Sequence, residues 1–594
     1  MNTLLKYRKY FWIFILVGFV IYFPIIFNEF VWDDFPYIIN NPEMHQFNLP
    51  LLLGKNLFNS GPFYRPIPAI YFAFMYSLFS NQAFFYHTLQ LTLHIIDTFF
   101  LLTFFCLFFS EGISYFLALL FLVHPINVES VAFIGSTGSE LYFFFGIVAL
   151  LLSTKQSLTV KKFILISILL LLAILTKETG FLFLPLIFLY RYLFRQNKLK
   201  EVTIAGACIA TVYLLLRTAV GGVTTAKLSF VQIASLSFSQ RLLNIPAIIM
   251  YYVKIFIFPL HLAIWQVWVV KGVTWQGFFF PLLLCSVLLG FLLTVIFLLY
   301  KNDKKHARPV TDEKQKKNNR KFVAVEQKRF QLFFFFLFWF IFGIGLILQL
   351  VPLDMTVADR WFYFPMVGVL GMIGVGLQTI FPFWSQQRKL LSIGAIILLC
   401  LLSLRTFTRT FNWKDNLTLY THDLKEENEN YLLLGEYATE LYQAGKMDEA
   451  YIYATKSVAL HQTVKNLNEL GRVYQHKRQY TKALINYTRA IQLAKIHTEE
   501  EQNELYAYTN KAAVLLFAGH PADAIQFINE YALKRFPQNE KLYFLLAIAE
   551  YNLHDQQKAL EAATKAIDLS PSDLNNTLYN KIRNKESLNF RDTT

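Results

Sequence analysis

Long apolar runs fill residues 10–406, and beyond 411 the pattern changes to apolar positions spaced among polar ones as on a helix face. A run of roughly 20 apolar residues is long enough to cross a bilayer as a helix. That rule predicts spans near 10–31, 84–109, 131–153, 277–300, 331–351, 361–382 and 390–406. Shorter or interrupted candidates lie near 113–125, 163–176, 180–194 and 202–217. Breaks of this kind are tolerated where neighbouring helices or a water-filled cavity satisfy the backbone. The stretch 246–264, which contains Pro246, Lys254 and Pro259, is expected not to cross fully, leaving about 11 spans. The first run follows a short basic segment and has no small-residue cleavage site, so it is expected to remain as a span.

The second pattern is a repeat. Ala450, Ala483, Ala524 and Ala559 are spaced 33, 41 and 35 residues apart, close to the period of a helix–turn–helix tetratricopeptide unit. Within 464–496, Gly471, Tyr474, Ala483, Tyr487 and Ala490 take its small and aromatic positions. The long spacing predicts an insertion near Glu499–Asn503. Such units bury their apolar faces by stacking, so about four of them predict a short superhelix with a concave surface. The expected fold is all-α: a transmembrane bundle over 1–410, then a repeat domain over 411–594.

Composition agrees. The 594 residues are 55% hydrophobic and only 16% charged, against roughly 25% in soluble proteins. The net charge of +15 suggests nucleic-acid binding at first sight. Much of the excess, however, lies in short loops beside spans, where Lys and Arg set orientation instead. Lys6–Lys9, Lys155–Lys162, Arg191–Lys200, Lys301–Arg329 and Arg388–Lys389 are expected on the cytoplasmic side. The repeats then face outside, which requires an odd number of spans. The Lys301–Arg329 segment has no apolar periodicity and reads as a loop. The four cysteines are far apart inside apolar runs, without metal spacing, and read as buried thiols.

Charges beside spans are costly and mark candidate chemistry. Adjacent Asp33 and Asp34 follow the first span, and mutual repulsion can hold one of them ready as a base. Arg65, among aromatic and proline residues, can bind phosphate in bidentate fashion or anchor the membrane interface. His124 and Glu129 lack zinc-pair spacing and are read as walls of a polar pocket. Lys177 and Glu178 either cap a turn as a neutralised pair or meet a lipid phosphate. Arg360 follows Asp359 at the start of a span. Acids and bases on one side of a bilayer suit a phosphate-linked, lipid-borne substrate.

At these residues the chain resembles the transmembrane and tetratricopeptide-repeat O-mannosyltransferases of the GT-C glycosyltransferases, which have bacterial relatives. The resembling stretches are Val-Trp-Asp-Asp-Phe-Pro-Tyr-Ile-Ile-Asn-Asn-Pro, Tyr-Arg-Pro-Ile-Pro-Ala-Ile-Tyr-Phe and Tyr-His-Thr-Leu-Gln-Leu-Thr-Leu-His. They continue with His-Pro-Ile-Asn-Val-Glu-Ser-Val-Ala, Leu-Thr-Lys-Glu-Thr-Gly, Asp-Arg-Trp-Phe-Tyr-Phe-Pro-Met-Val-Gly and Trp-Lys-Asp-Asn-Leu-Thr-Leu-Tyr. They stand in the family's order. The resemblance implies a polyprenyl-phosphate sugar donor, transfer on the non-cytoplasmic side and no obligatory metal or other cofactor. It assigns the base to Asp33 or Asp34, with inversion, and the lipid phosphate to Arg65, Lys177 and Arg360. His124 and Glu129 match a motif without an assigned role. The array is shorter than is usual in the family, and the Lys301–Arg329 loop departs from its pattern.

The expected function is therefore transfer of a sugar to a hydroxyl acceptor, protein Ser or Thr, with the repeats holding the acceptor or a partner. Two rivals are a glycosyltransferase acting on lipid or cell-surface polysaccharide and a non-catalytic membrane scaffold. A transporter is disfavoured, because no matching interrupted helices recur in paired halves. The short array and a composition rich in Phe, Ile, Lys and Asn favour a bacterial inner membrane over the endoplasmic reticulum.

Overall fold

A computed structural model describes residues 8–54, 64–155, 158–195, 197–220, 231–306, 329–380, 387–496 and 501–588. The segment 307–328, most of the expected basic loop, lies outside the described residues, as do Lys6 and the start of the expected insertion at Glu499. Regular structure among the described residues is helical, and the one β-feature is an isolated bridge between Gln266 and Val357. The chain divides into two compact units, Met1–Glu426 and Glu427–Thr594.

Among the described residues the first unit contains seven helices long and apolar enough to cross a membrane: Lys9–Phe27, Ala83–Phe105, Ile134–Ser153, Leu199–Val220, Trp275–Asp303, Asp359–Ile380 and Lys389–Trp413. Glu111–Val123 and Pro125–Ala132 are together apolar enough for one more span but bend by 48° at the break. The described residues therefore hold seven such helices, or eight if the pair is one span, fewer than the 11 or so expected. The break has a local cause. Pro125 supplies no N–H and cannot continue the helix, and His124 Nδ1 instead accepts from the Ile126 N–H at 3.2 Å. The remaining expected spans, 163–176, 180–194 and 331–351, become helices of 17, 11 and 17 residues. At 1.5 Å per residue the shortest reaches only about 16 Å, half of a hydrocarbon core about 30 Å thick. The doubtful stretch 246–264 is the second half of a helix, Phe238–Ile257, that holds Pro246 and ends before Phe258. Leu283, Val287 and Phe291 on one helix and Ile393, Ile397 and Leu401 on another remain exposed, as side chains facing lipid must be.

The helices that frame the candidate site are α1 (Arg8–Tyr22), α2 (Pro66–Phe79), α3 (Ala83–Phe105), α4 (Val128–Ala132), α5 (Thr137–Ser153), α6 (Val160–Thr176), α7 (Phe183–Leu193) and α8 (Tyr363–Ile380). The first unit runs 16 residues past position 410 because the chain after the last span is bonded back into it. Glu29 N–H donates to Lys414 O at 2.9 Å, and Trp32 N–H to Asn416 Oδ1 at 2.7 Å. Buried Arg409 bonds Asp423 at 2.9 Å, and the other Asp423 oxygen accepts from Ile264 N–H at 2.7 Å.

The second unit stacks four helix pairs: α9 (Tyr431–Gln443) with α10 (Met447–Leu460), α11 (Val464–His476) with α12 (Tyr480–Ala494), α13 (Glu501–Phe517) with α14 (Pro521–Phe527), and α15 (Glu540–Asn552) with α16 (Gln556–Leu569). A last helix, α17 (Asp573–Arg583), closes the stack by burying Leu578 and Ile582. The repeating alanines at 450, 483, 524 and 559 are all fully buried, where helices pack closest. Side-chain caps start the helices: Asn430 for α9, a Thr463–Asn466 capping box for α11, Asn539 for α15 and Asp555 for α16.

Candidate active site

The Asp-Asp pair sits in the turn after α1, where Trp32 adopts a left-handed backbone (φ 52°) that is costly for a bulky residue. The turn separates the two acids. Asp34 is fully buried; its Oδ2 accepts from Val31 N–H at 2.9 Å and its Oδ1 from Gly135 N–H at 2.6 Å. Burial pushes its carboxyl well above the usual range, opposed by those two N–H donors and reinforced by the neighbouring Asp33 charge. Asp34 thus ties the turn to the loop before α5. Asp33 is half-buried and lies within electrostatic reach of Arg360 and of the Tyr37 phenol. The two acids therefore differ in setting: Asp33 is half-buried, and Asp34 is fully buried on two backbone N–H groups.

Arg360 belongs to a group of three cations, with Arg65 and Lys177, that lie within electrostatic reach of one another. Arg65, at the start of α2, bonds Glu178 Oε2 through Nε at 2.9 Å and Nη2 at 2.7 Å. Arg360, just before α8, pairs through Nη1 with one oxygen of Glu129, a residue of α4, while its backbone N–H donates to the other at 3.0 Å. Its guanidinium lies over the rings of Trp32, at 5.3 Å, and Phe133, at 5.7 Å. Lys177, between α6 and α7, bonds the neutral Ser139 Oγ at 2.9 Å and faces the Tyr142 ring at 5.8 Å. Among the described residues no carboxylate comes within ion-pair distance of it. Burial, then the adjacent Arg65 and Arg360 charges, lower its pKa to about 7, against the partial support of Glu178 and Asp354. Two cations are thus matched by acids of their own, while the third has a neutral partner.

Of the residues picked from sequence, Asp33, Arg65, Lys177, Glu178, Arg360 and Glu129 converge here. His124 does not. Its Nε2 bonds Phe256 O at 2.9 Å, its Nδ1 caps the turn after Pro125, and its ring stacks on Phe256. Both nitrogens are engaged by backbone because the helix break leaves an N–H to satisfy, so His124 braces the broken span and does not line the pocket.

The sequence reading missed Asp354 and Tyr37. Asp354 lies within electrostatic reach of Arg65, Lys177 and Arg360, and Tyr37 senses Asp33, Asp354, Arg65 and Arg360. Asp354 is a lone acid beside a span, the same signal that singled out the other charges, whereas Tyr37 stands four positions after Asp33 with no charge to mark it. A second buried polar group also escaped notice: Tyr363 OH donates to Asp97 Oδ2 at 2.9 Å and meets His94 Nδ1 at 3.0 Å. Among the described residues no group of three or more His, Cys, Asp or Glu side chains is arranged to hold a metal ion.

No protein-family model matches the chain. It is similar to a protein O-mannosyl-transferase of Caenorhabditis elegans, 24% identical over 432 residues, which is 69% of this chain and 57% of that protein. Human protein O-mannosyl-transferase TMTC1 is 30% identical over 207 residues, 30% of this chain and 23% of its own. Drosophila melanogaster Tmtc3 is 23% identical over 173 residues, 28% of this chain and 19% of its own. The chain therefore spans little more than half the length of the first of these relatives and less of the others. Among solved structures, YrrB, a tetratricopeptide-repeat protein with an unusual peptide-binding site, aligns with 32% of this chain and 90% of its own at 19% identity and TM-score 0.24.

Proposed function

We propose that this protein, similar over two thirds of its length to protein O-mannosyl-transferases, is a membrane glycosyltransferase. In this reading it moves a sugar, mannose by analogy with the names of its relatives, from a polyprenyl-phosphate carrier to a protein hydroxyl. The observation that carries the proposal is one half-buried carboxylate, Asp33, within electrostatic reach of Arg360, which in turn lies near Lys177 and Arg65, with no carboxylate among the described residues within ion-pair distance of Lys177. The donor phosphate would lie against Lys177 between the two arginines. Asp33 would take the proton of the acceptor hydroxyl as its oxygen bonds the anomeric carbon. The bond from that carbon to the phosphate oxygen breaks, its electron pair leaves with the lipid phosphate, and attack from the opposite face inverts the centre. Cations held in place before the reaction stabilise that developing charge without reorganising. The leaving phosphate is met by side chains, so a metal is not obligatory in this mechanism.

The basic loops support a site and repeats on the non-cytoplasmic side, and the short array with a composition rich in Phe, Ile, Lys and Asn supports a bacterial inner membrane. The repeats would hold the acceptor or a partner protein. Transfer from a radiolabelled polyprenyl-phosphate sugar in membranes, comparing wild type with Asp33→Asn, tests the proposal. Label entering protein with the wild type alone is the expected result. Label entering glycolipid would replace the protein acceptor by a lipid or polysaccharide, and equal labelling in both membranes would leave the scaffold reading.

A further inference from the structure

One residue beyond Ser139, the partner of Lys177, the chain carries a second acid that the transfer step does not use. Glu140 is on α5 and Asp97 on α3, within the spans Ile134–Ser153 and Ala83–Phe105, and both are fully buried. They lie within electrostatic reach of each other. The other titratable groups facing them, among the described residues, are His94 on α3 and four phenols: Tyr22 on α1, Tyr71 on α2, Tyr142 on α5 and Tyr363 on α8. No cation among the described residues pairs with either acid.

Both oxygens of Glu140 and Oδ1 of Asp97 have no hydrogen-bond partner among the described residues, and all three are enclosed too tightly for water to touch. A carboxylate there is an unpaired buried charge, far costlier than a neutral acid, and a second one beside it adds repulsion. A proton is the one ligand that needs no space.

The remaining oxygen, Asp97 Oδ2, makes the same demand through a chain of hydrogen bonds. His94 Nε2 donates to Leu122 O at 3.2 Å, which leaves Nδ1 facing the Tyr363 hydroxyl at 3.0 Å, and that hydroxyl lies 2.9 Å from Asp97 Oδ2. A hydroxyl has one proton to give. If Tyr363 gives it to Asp97, Nδ1 must carry a second imidazole proton, and an imidazolium and a carboxylate are both buried. If Asp97 carries the proton, it donates to Tyr363, Tyr363 donates to Nδ1, and every contact is made with no charge buried.

We propose that Asp97 and Glu140 form a proton-binding site within the membrane, each standing as a neutral acid, with the Asp97 proton at the head of the chain through Tyr363 to His94. The protons act as ligands that let α3, α5 and α8 pack where two carboxylates could not. This inference does not rest on the glycosyltransferase reading.

The test uses the full-length protein in lipid bilayers at about pH 8, where exposed carboxyls are ionised. Infrared difference spectra of wild type minus Glu140→Gln, and of wild type minus Asp97→Asn, should each show the carbonyl stretch of a neutral carboxylic acid. A carboxylate stretch in its place, for either residue, would overturn the proposal. Because a variant can fail to fold, the wild type is also grown with heavy carbon in the side-chain carboxyl of glutamate, then of aspartate. A neutral-acid band that moves with each label is expected, and a label that moves none would overturn the proposal. The folding equilibrium in detergent gives a second readout. The unfolded chain has released these protons above about pH 5 while the folded chain keeps them, so stability falls as pH rises. Between about pH 6 and 7 the wild-type folding constant should fall about tenfold more than that of Glu140→Gln, the share of one proton. Equal pH dependence in the two would overturn the proposal. No sugar donor is present, so failure here leaves the chemistry at Asp33 standing, and loss of transfer in Asp33→Asn leaves this site standing.

Discussion

Glu129 grips Arg360 twice, with one carboxylate oxygen on the guanidinium and the other on the Arg360 backbone N–H at 3.0 Å. Both side chains are nearly enclosed, at 2% and 10% exposure. The grip fixes the residue at both ends, so the guanidinium keeps its place over Trp32 beside Asp33. A buried pair of this kind is weak evidence for stability in itself, but breaking it strands a charge.

Glu129→Gln should therefore cost about 3–5 kcal/mol of stability, read as a lowered melting temperature, and raise the donor KM. Arg360→Lys keeps the charge but loses the planar group that stacks on Trp32, and should raise the donor KM with a smaller change in melting temperature. Equal melting and equal KM in both variants would show that the pair does no positioning.

The two adjacent acids should part company under mutation. Asp33→Asn is expected to lower the transfer rate at least about 100-fold, the lower end for loss of a general base, and to leave melting near wild type. Asp34→Asn puts an amide N–H₂ against one of two backbone donors, and should cost about 1–3 kcal/mol of stability. Thermal melting and transfer measured on the same preparations separate them. The reverse pattern would assign the base to Asp34.

Lys177 sets a pH dependence. With a pKa lowered to about 7 in the empty site, it is charged below that value and increasingly neutral above it. A bound phosphate favours the charged form, so donor affinity should fall as pH rises above about 7, and Lys177→Arg should flatten the profile. For stability the sign is opposite. The folded pKa lies below the ordinary 10.5, so the unfolded chain binds more protons between the two values, and this group makes the empty protein more stable as pH rises from 7 to 10.5. A donor KM independent of pH between 6 and about 9 would count against Lys177 as the phosphate contact.

In the repeats, Gly471 on α11 lies against the ring of Tyr487 on α12, and a Cβ there would meet Tyr487 Cε1 at 2.5 Å. Tyr487 is fully buried and bonds Gln475 Oε1 at 3.0 Å, so it has little room to retreat. Gly471→Val should cost about 1–3 kcal/mol by overpacking, seen as earlier melting or as protease cutting within 427–594. An unchanged cutting pattern and melting point would mean that the two helices can part to admit the side chain.

The repeats and the longer spans were legible along the chain because each is decided by a short-range period. Alanine every 33 to 41 residues and about 20 apolar residues in a row are local facts, and both became helices where expected, except that 331–351 shortened to Arg329–Gly345 while the weaker candidate at 202–217 reached full length as Leu199–Val220. Lys177 and Asp33 were picked out for a related reason: a charge beside a span is costly, which marks it as a candidate.

The partners were not legible. Arg65 meets Glu178 across 113 positions and Arg360 meets Glu129 across 231, and no local pattern relates residues so far apart. The identical letters at 33 and 34 gave no sign that one acid would be buried on the N–H groups of Val31 and Gly135 and the other presented. His124 looked like a pocket residue until the helix break at Pro125 claimed both its nitrogens. By itself the sequence determined where helices form and which charges are too costly to be idle, because hydrophobic periodicity and burial cost act residue by residue. Only the tertiary structure decided which of those charges are neutralised by a partner and which are not, because that depends on which helix ends packing brings together.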